Sequence, residues 1–129
     1  MKKENNNLNL NPPQINTPEG IIPFLDYVPF GYIRISVDGL ILEINRTMLE
    51  WIGFVKDEAR GKLSINDLVG ENSRMEFKRD LSELENSGRL KDSELEIRRK
   101  DGTRFFALIS GLAAKEKGRQ KQVFLVYCL

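Results

Sequence analysis

The side chains that ordinarily carry chemistry are scarce in this sequence. Its 129 residues include one cysteine, Cys128, and no histidine. Without histidine there is no Ser-His-Asp triad, no imidazole base, no His-ligated haem or metal, and no phosphoacceptor histidine within the chain. A single cysteine can form neither an internal disulfide nor a zinc cluster. A thiolate haem ligand at Cys128 would need basic or hydrogen-bonding neighbours. Val126, Tyr127 and Leu129 supply none locally. Cys128 therefore reads as a small buried hydrophobe.

The charged groups give the same impression. Glu94, Glu96, Arg98 and Arg99 could be taken for a carboxylate cluster with cations, but they alternate with Leu95 and Ile97, which places most of them on one solvated strand face. Lys115, Lys117, Arg119 and Lys121 surround an expected hairpin tip and read as a solubilising loop rather than an anion site. The acids that can be placed fall at turns, caps or solvated faces, so a buried general base is not expected. Trp51 reads as core packing, with an aromatic wall for a ligand as the alternative. The net charge is +1, from 20 basic and 19 acidic residues, which calls for neither nucleic acid nor an anionic membrane as partner. No run approaches the roughly 18 apolar residues of a spanning helix. The opening MKKENNNLNL lacks the apolar core of a secretory signal. A cytoplasmic chain or segment is expected.

The elements that must position these groups are sharply punctuated. All five prolines lie in the first 29 residues. Residues 1–16 are Asn-rich and too polar to order themselves, so a flexible tail is expected. Residues 17–28 form an N-terminal helical segment, opened by Thr17-Pro18 and ended by Pro29, with an apolar stripe of Ile21, Ile22, Phe24, Leu25 and Val28. Gly31–Val37 alternates as a strand, Asp38-Gly39 is a hairpin turn and Leu40–Ile44 returns. Asn45 caps a helix over Arg46–Ile52 that Gly53 closes. Short helical turns fit Val55–Arg60 and Ser64–Asp67. Ser73 to Glu76 is a capping-box pattern opening a longer helix that ends at Asn86-Ser87-Gly88. Strands follow at Ser93–Arg99, Arg104–Ala114 and Gln120–Leu129. Hairpin connections demand antiparallel pairing, so the class is α+β.

This order, with Pro29-Phe30-Gly31, Val37-Asp38-Gly39, Asn45, Gly53-Phe54 with Asp57-Glu58, and Arg99-Lys100-Asp101-Gly102-Thr103, resembles the PAS domain family over residues 29–129. The resemblance implies a five-stranded antiparallel sheet with short helices on its concave face. It also implies a homodimer, a role as sensor, and a downstream effector such as a histidine kinase, a diguanylate cyclase or a transcription regulator. The family's last strand often runs into Asp-Ile-Thr, and this chain is expected to stop just before such a motif. Flavin-binding members place a reactive cysteine where Ser64 stands, and amides near Ile97, Ala107 and Cys128. None of these positions matches, so no flavin is expected.

Alternation points Ile33, Ile35, Val37, Leu95, Ile97, Phe105, Ala107 and Ile109 into a cavity under the sheet. Phe124, Val126 and Cys128 join them if the family motif begins just after Leu129. The set holds no charge, so a ligand there would be a small apolar molecule held by contact area. Register is the sensitive assumption, because a slip of one residue inverts a strand's faces. The last strand is apolar on both faces, so the outer face of the sheet needs a cover: the Ile21–Val28 helix, a partner chain, or both. The leading expectation is a non-catalytic sensory and dimerisation domain. A ligand-free interaction module is the first alternative, and a small cavity enzyme the second.

Overall fold

In a computed structural model, residues 24–116 and 119–129 are described, apart from the side chains of residues 116 and 119–121. The expected tail over residues 1–16, the start of the N-terminal helical segment, and Ile21 and Ile22 lie outside the described residues.

Two strands open the fold, β1 (Gly31–Ser36) and β2 (Ile41–Ile44). Gly39, at φ 88°, makes the turn between them, its N–H donating to Ser36 O at 2.9 Å. Helix α1 (Arg46–Ile52) follows, capped by Asn45 and closed by Gly53. Then come α2 (Lys56–Ala59), two 3-10 turns (Ile65–Leu68 and Glu71–Ser73) and α3 (Arg74–Ser87). The hairpin strands β3 (Arg89–Arg98), β4 (Arg104–Glu116) and β5 (Arg119–Cys128) complete the chain. The strand order is β2-β1-β5-β4-β3 and every pairing is antiparallel. The first and last strands are thus neighbours, and Gly31 pairs with Tyr127. The chain enters and leaves the sheet side by side.

One face of this sheet carries the core. Ile33, Ile35, Leu95, Ile97, Ala107 and Ile109 are each at most 2% exposed, as the alternation requires. Met48, Ile52, Ile65, Leu68, Phe77 and Leu84 from the helices and turns complete the cluster. The Ser64 cap forms as expected, with Asn66 N–H donating to Ser64 Oγ and Ser64 N–H to the Asp67 carboxylate. The Ser73 capping box does not form. Ser73 is buried, and its hydroxyl instead accepts the Glu96 N–H at 2.9 Å, which ties the start of α3 to the edge of β3. The N-terminal helix also ends earlier than Pro29 requires: its described helical residues are Phe24 and Leu25, followed by a turn.

Two corrections concern the inward row. Val37 is 56% exposed, because β1 stops at Ser36 and the turn begins there. Phe105 faces inward as expected, half-buried against the core at the end of its row beside Arg99. Phe124, Val126 and Cys128 do not face the core; Val123, Leu125 and Tyr127 do. A strand apolar on both faces carries no alternation to fix its register. The β4–β5 ladder also shifts between Ala114 and Lys115, so counting across that hairpin misleads. Cys128 is accordingly exposed on the outer face rather than a buried hydrophobe.

Two outcomes follow from this packing. Ala107→Trp should overpack the core and lower stability by about 1–3 kcal/mol or more. Urea unfolding checks this, and an unchanged midpoint would reveal unfilled space beside Ala107. On α3, burial pushes the Asp80 carboxyl above its usual value despite the hydrogen bond donated by the Ser93 hydroxyl. A raised folded-state value favours the protonated form, so stability is lost as pH rises through it. Asp80→Asn should therefore be more stable than the parent at neutral pH, with the difference vanishing below about pH 4.

Candidate functional site

The inward face is closed along most of its length. It opens at the β1–β2 hairpin into a crevice of about 510 Å³. Ile35, Ile65, Leu81 and Val123 form its apolar lining, and Ser36, Asp38, Asn66, Ser82 and Glu85 its polar part. The expected cavity residues Leu95, Ile97, Ala107 and Ile109 are core, not crevice lining. Ile35 is the expected residue the crevice retains, and Val37 lines it from the turn. The polar lining was missed because Asp38 and Asn66 read only as turn and cap residues.

At the opposite end of the sheet the β3–β4 hairpin is fastened to the end of α1. Arg99 Nε donates to Trp51 O at 2.9 Å, and Lys100 N–H donates to Ile52 O at 2.9 Å. The Arg99 guanidinium stands 4.5 Å over the Phe105 ring, which meets Trp51 edge-on with centroids 6.4 Å apart. Lys100 forms an ion pair with Glu58 on α2. These contacts place Trp51 in packing, half-buried against Phe105 rather than lining an open wall.

The outer face carries an apolar strip, interrupted on β4 by Ser110. Phe106 is 61%, Leu108 42% and Leu112 57% exposed along β4. Leu112 pairs with Phe124 and Leu108 with Cys128 on β5. Beside them lies a shallow groove of about 540 Å³, walled by Leu90, Leu112, Phe124 and Val126 with Arg89 and Lys91 at its rim. Residues missed at register thus belong to a surface. Near β2 the chain before β1 covers part of this face, with Leu25 over Tyr32, Glu43 and Ile44. Leu25 and Val28 are half-buried, and Phe24 is 43% exposed.

Besides the part-buried Asp80, two acids depart from the expectation of solvated carboxylates. Glu43 is buried on the outer side of β2, where its carboxylate meets Arg60 at 3.0 Å and Arg34 at 3.6 Å. The sequence signal was there: an acid inside Ile-Leu-Glu-Ile opposite an arginine on the paired strand. Glu96 is largely buried against Gly70, with Arg104 at 3.7 Å. Glu94 is exposed as expected, and so is Lys115 of the basic hairpin. No helix among the described residues is long and apolar enough to cross a membrane.

A family model described as PAS domain matches residues 29–129. No curated protein matches the chain. Among solved structures, the PAS domain of a protein from Colwellia psychrerythraea superposes with a TM-score of 0.74 at 18% identity, covering 86% of this chain and 95% of that one. A domain of a sensory box sensor histidine kinase/response regulator from Geobacter sulfurreducens has a TM-score of 0.70 at 14% identity, covering 86% and 92%. PAS-B of Drosophila melanogaster Cycle, with bound ethylene glycol, has a TM-score of 0.68 at 16% identity, covering 74% and 94%. At these identities the likeness is one of fold.

The Glu43 cluster gives a direct check on the outer face. Glu43→Gln keeps the shape but leaves the Arg34 guanidinium, 22% exposed, without its counter-charge. The expected loss is about 2 kcal/mol, below the range for fully buried pairs because Arg60 is half in water. Urea unfolding of Glu43→Gln measures it, and the double change with Arg34→Met should recover part of it.

Proposed function

The chain belongs to the PAS domain family, and on that premise we propose that it is a cytoplasmic sensory and dimerisation domain for signal transduction, without catalysis of its own. The observation that carries the proposal is the apolar strip of Phe106, Leu108 and Leu112 with its groove, left open to water on the outer sheet face. Apolar area of this kind marks an interaction surface. The occupant is a second copy of the chain, with the segment carrying Ile21, Ile22, Phe24, Leu25 and Val28 contributing to the contact. The signal is a change in how the two copies pair, delivered where β5 leaves the sheet. A histidine kinase is a fitting effector, and the likeness to a sensor histidine kinase domain supports it.

The hairpin crevice favours a second element of function. Its mixed lining suits a small molecule with an apolar body and one polar end rather than a wholly apolar one. No flavin or haem is part of the proposal. Native mass spectrometry distinguishes a liganded sensor from a ligand-free interaction module.

The dimer is the decisive matter. Phe106→Glu and Leu112→Glu should each shift the sedimentation equilibrium towards monomer. Met75→Glu, at an exposed site on α3, should leave it unchanged. Deleting residues 1–22 should also favour monomer, or aggregation if the apolar face is left bare. A dimer indifferent to both outer-face substitutions would refute the pairing surface.

A further inference from the structure

Asn45 makes far more contacts than a helix cap needs. Its Oδ1 accepts from Met48 N–H at 3.0 Å, which is the cap, and from Tyr32 N–H at 2.9 Å on β1. Its Nδ2 donates to Leu25 O at 2.7 Å and Phe30 O at 2.9 Å. All four hydrogen-bonding sites of the amide are thereby used, in a side chain that is almost wholly buried. The next two residues bind the same stretch of chain. Arg46 N–H donates to Asp26 Oδ1 at 2.8 Å, and the Thr47 hydroxyl donates to Val28 O at 2.7 Å. The first turn of α1 therefore grips residues 25–30, the chain on its way into β1.

The other end of α1 is gripped as well, by Arg99 and Lys100 of the β3–β4 hairpin. Between the two grips the helix lies on the core. Met48 and Ile52 are fully buried, and a Cβ at Gly31 would meet Met48 Sδ at 2.6 Å, so α1 and the start of β1 are in closest contact. The helix is thus held at both ends and packed along one side.

We propose that Asn45 is a latch that couples α1 to the entering chain, so that a displacement of the helical cover is delivered to residues 25–30 as well as to β5. Its role is positioning, and it is separable from capping. Because Gly31 pairs with Tyr127, this second route ends beside the point where β5 leaves the sheet. The inference rests on the reading of the chain as a sensor, yet it does not depend on what is sensed or on the dimer surface.

Asn45→Asp separates the two roles. A carboxylate still accepts from Tyr32 and Met48 and is a good helix cap, but it can no longer donate to the Leu25 and Phe30 carbonyls. Amide hydrogen exchange, read residue by residue, reports each part. Arg46 N–H has its acceptor on the entering chain, whereas Tyr32 and Met48 N–H have theirs on residue 45. In Asn45→Asp the Arg46 amide should exchange about tenfold faster while Tyr32 and Met48 stay protected. A mere cap would leave all three unchanged, and that result overturns the latch.

Coupling along the helix is tested by a cycle with Arg99→Lys, which loosens the far end of α1 but keeps the charge. Arg99→Lys should speed exchange at Arg46 in the parent and add nothing in Asn45→Asp. Equal effects in both backgrounds, or none in the parent, would overturn the coupling. Thr47→Val supplies an independent check, since it removes only the bond to Val28 O and should also speed exchange at Arg46. The dimer measurements are separate, so a failed latch with an intact outer-face dimer leaves the sensor reading standing.

Discussion

A sheet has two faces, and here the helices cover only one of them. That constraint organises the molecule. Ile33, Ile35, Leu95, Ile97, Ala107 and Ile109 sink into a closed core under α1, α3 and the 3-10 turns. The opposite row on β4 and β5 is largely apolar too, and it meets water at Phe106, Leu108 and Leu112. An antiparallel sheet with one solvated face ordinarily alternates apolar with polar residues. Its failure to do so on β5 is what the proposed pairing of two copies would account for.

The polar features lie where they guard this arrangement. Glu43 is buried at the β2 edge, held between Arg34 and Arg60, under the chain that leads into β1. Arg99 and Lys100 fix the end of α1, and Asn45 fixes its beginning. Their hydrogen bonds are spent on holding the helical cover, the sheet and the entering chain in one geometry.

Much of this was legible in the sequence because turn chemistry is local. Asp38-Gly39, Asn45, Gly53, Ser64 and Gly88 each ended or began an element where expected. Faces were legible on β1 and β3, where polar or charged residues alternate with apolar ones, and on β4 by counting from the Gly102 turn. They were illegible on β5, where Val123 to Tyr127 are apolar throughout and the slip turned Phe124, Val126 and Cys128 the wrong way. Ser73 was misread because its local partner, Glu76, competes with a nonlocal one: the Glu96 N–H at the edge of β3. The role of Asn45 depends on partners 15 or more residues away, which no local pattern encodes, whereas that of Glu43 was signalled by an acid in an apolar strand facing Arg34 across the hairpin.

The outer face as a pairing surface is the central claim, and the chain's single cysteine tests it directly. Cys128 is exposed on that face, paired with Leu108. A spin label placed there reports on a second copy without any engineered site. Pairing through the outer face brings two such labels together. The account predicts a short, well-defined distance between labels in pulsed dipolar spectroscopy, lost when the labelled chain is diluted into unlabelled chain. A dimer that sediments as such yet shows no dipolar coupling between its Cys128 labels would contradict it.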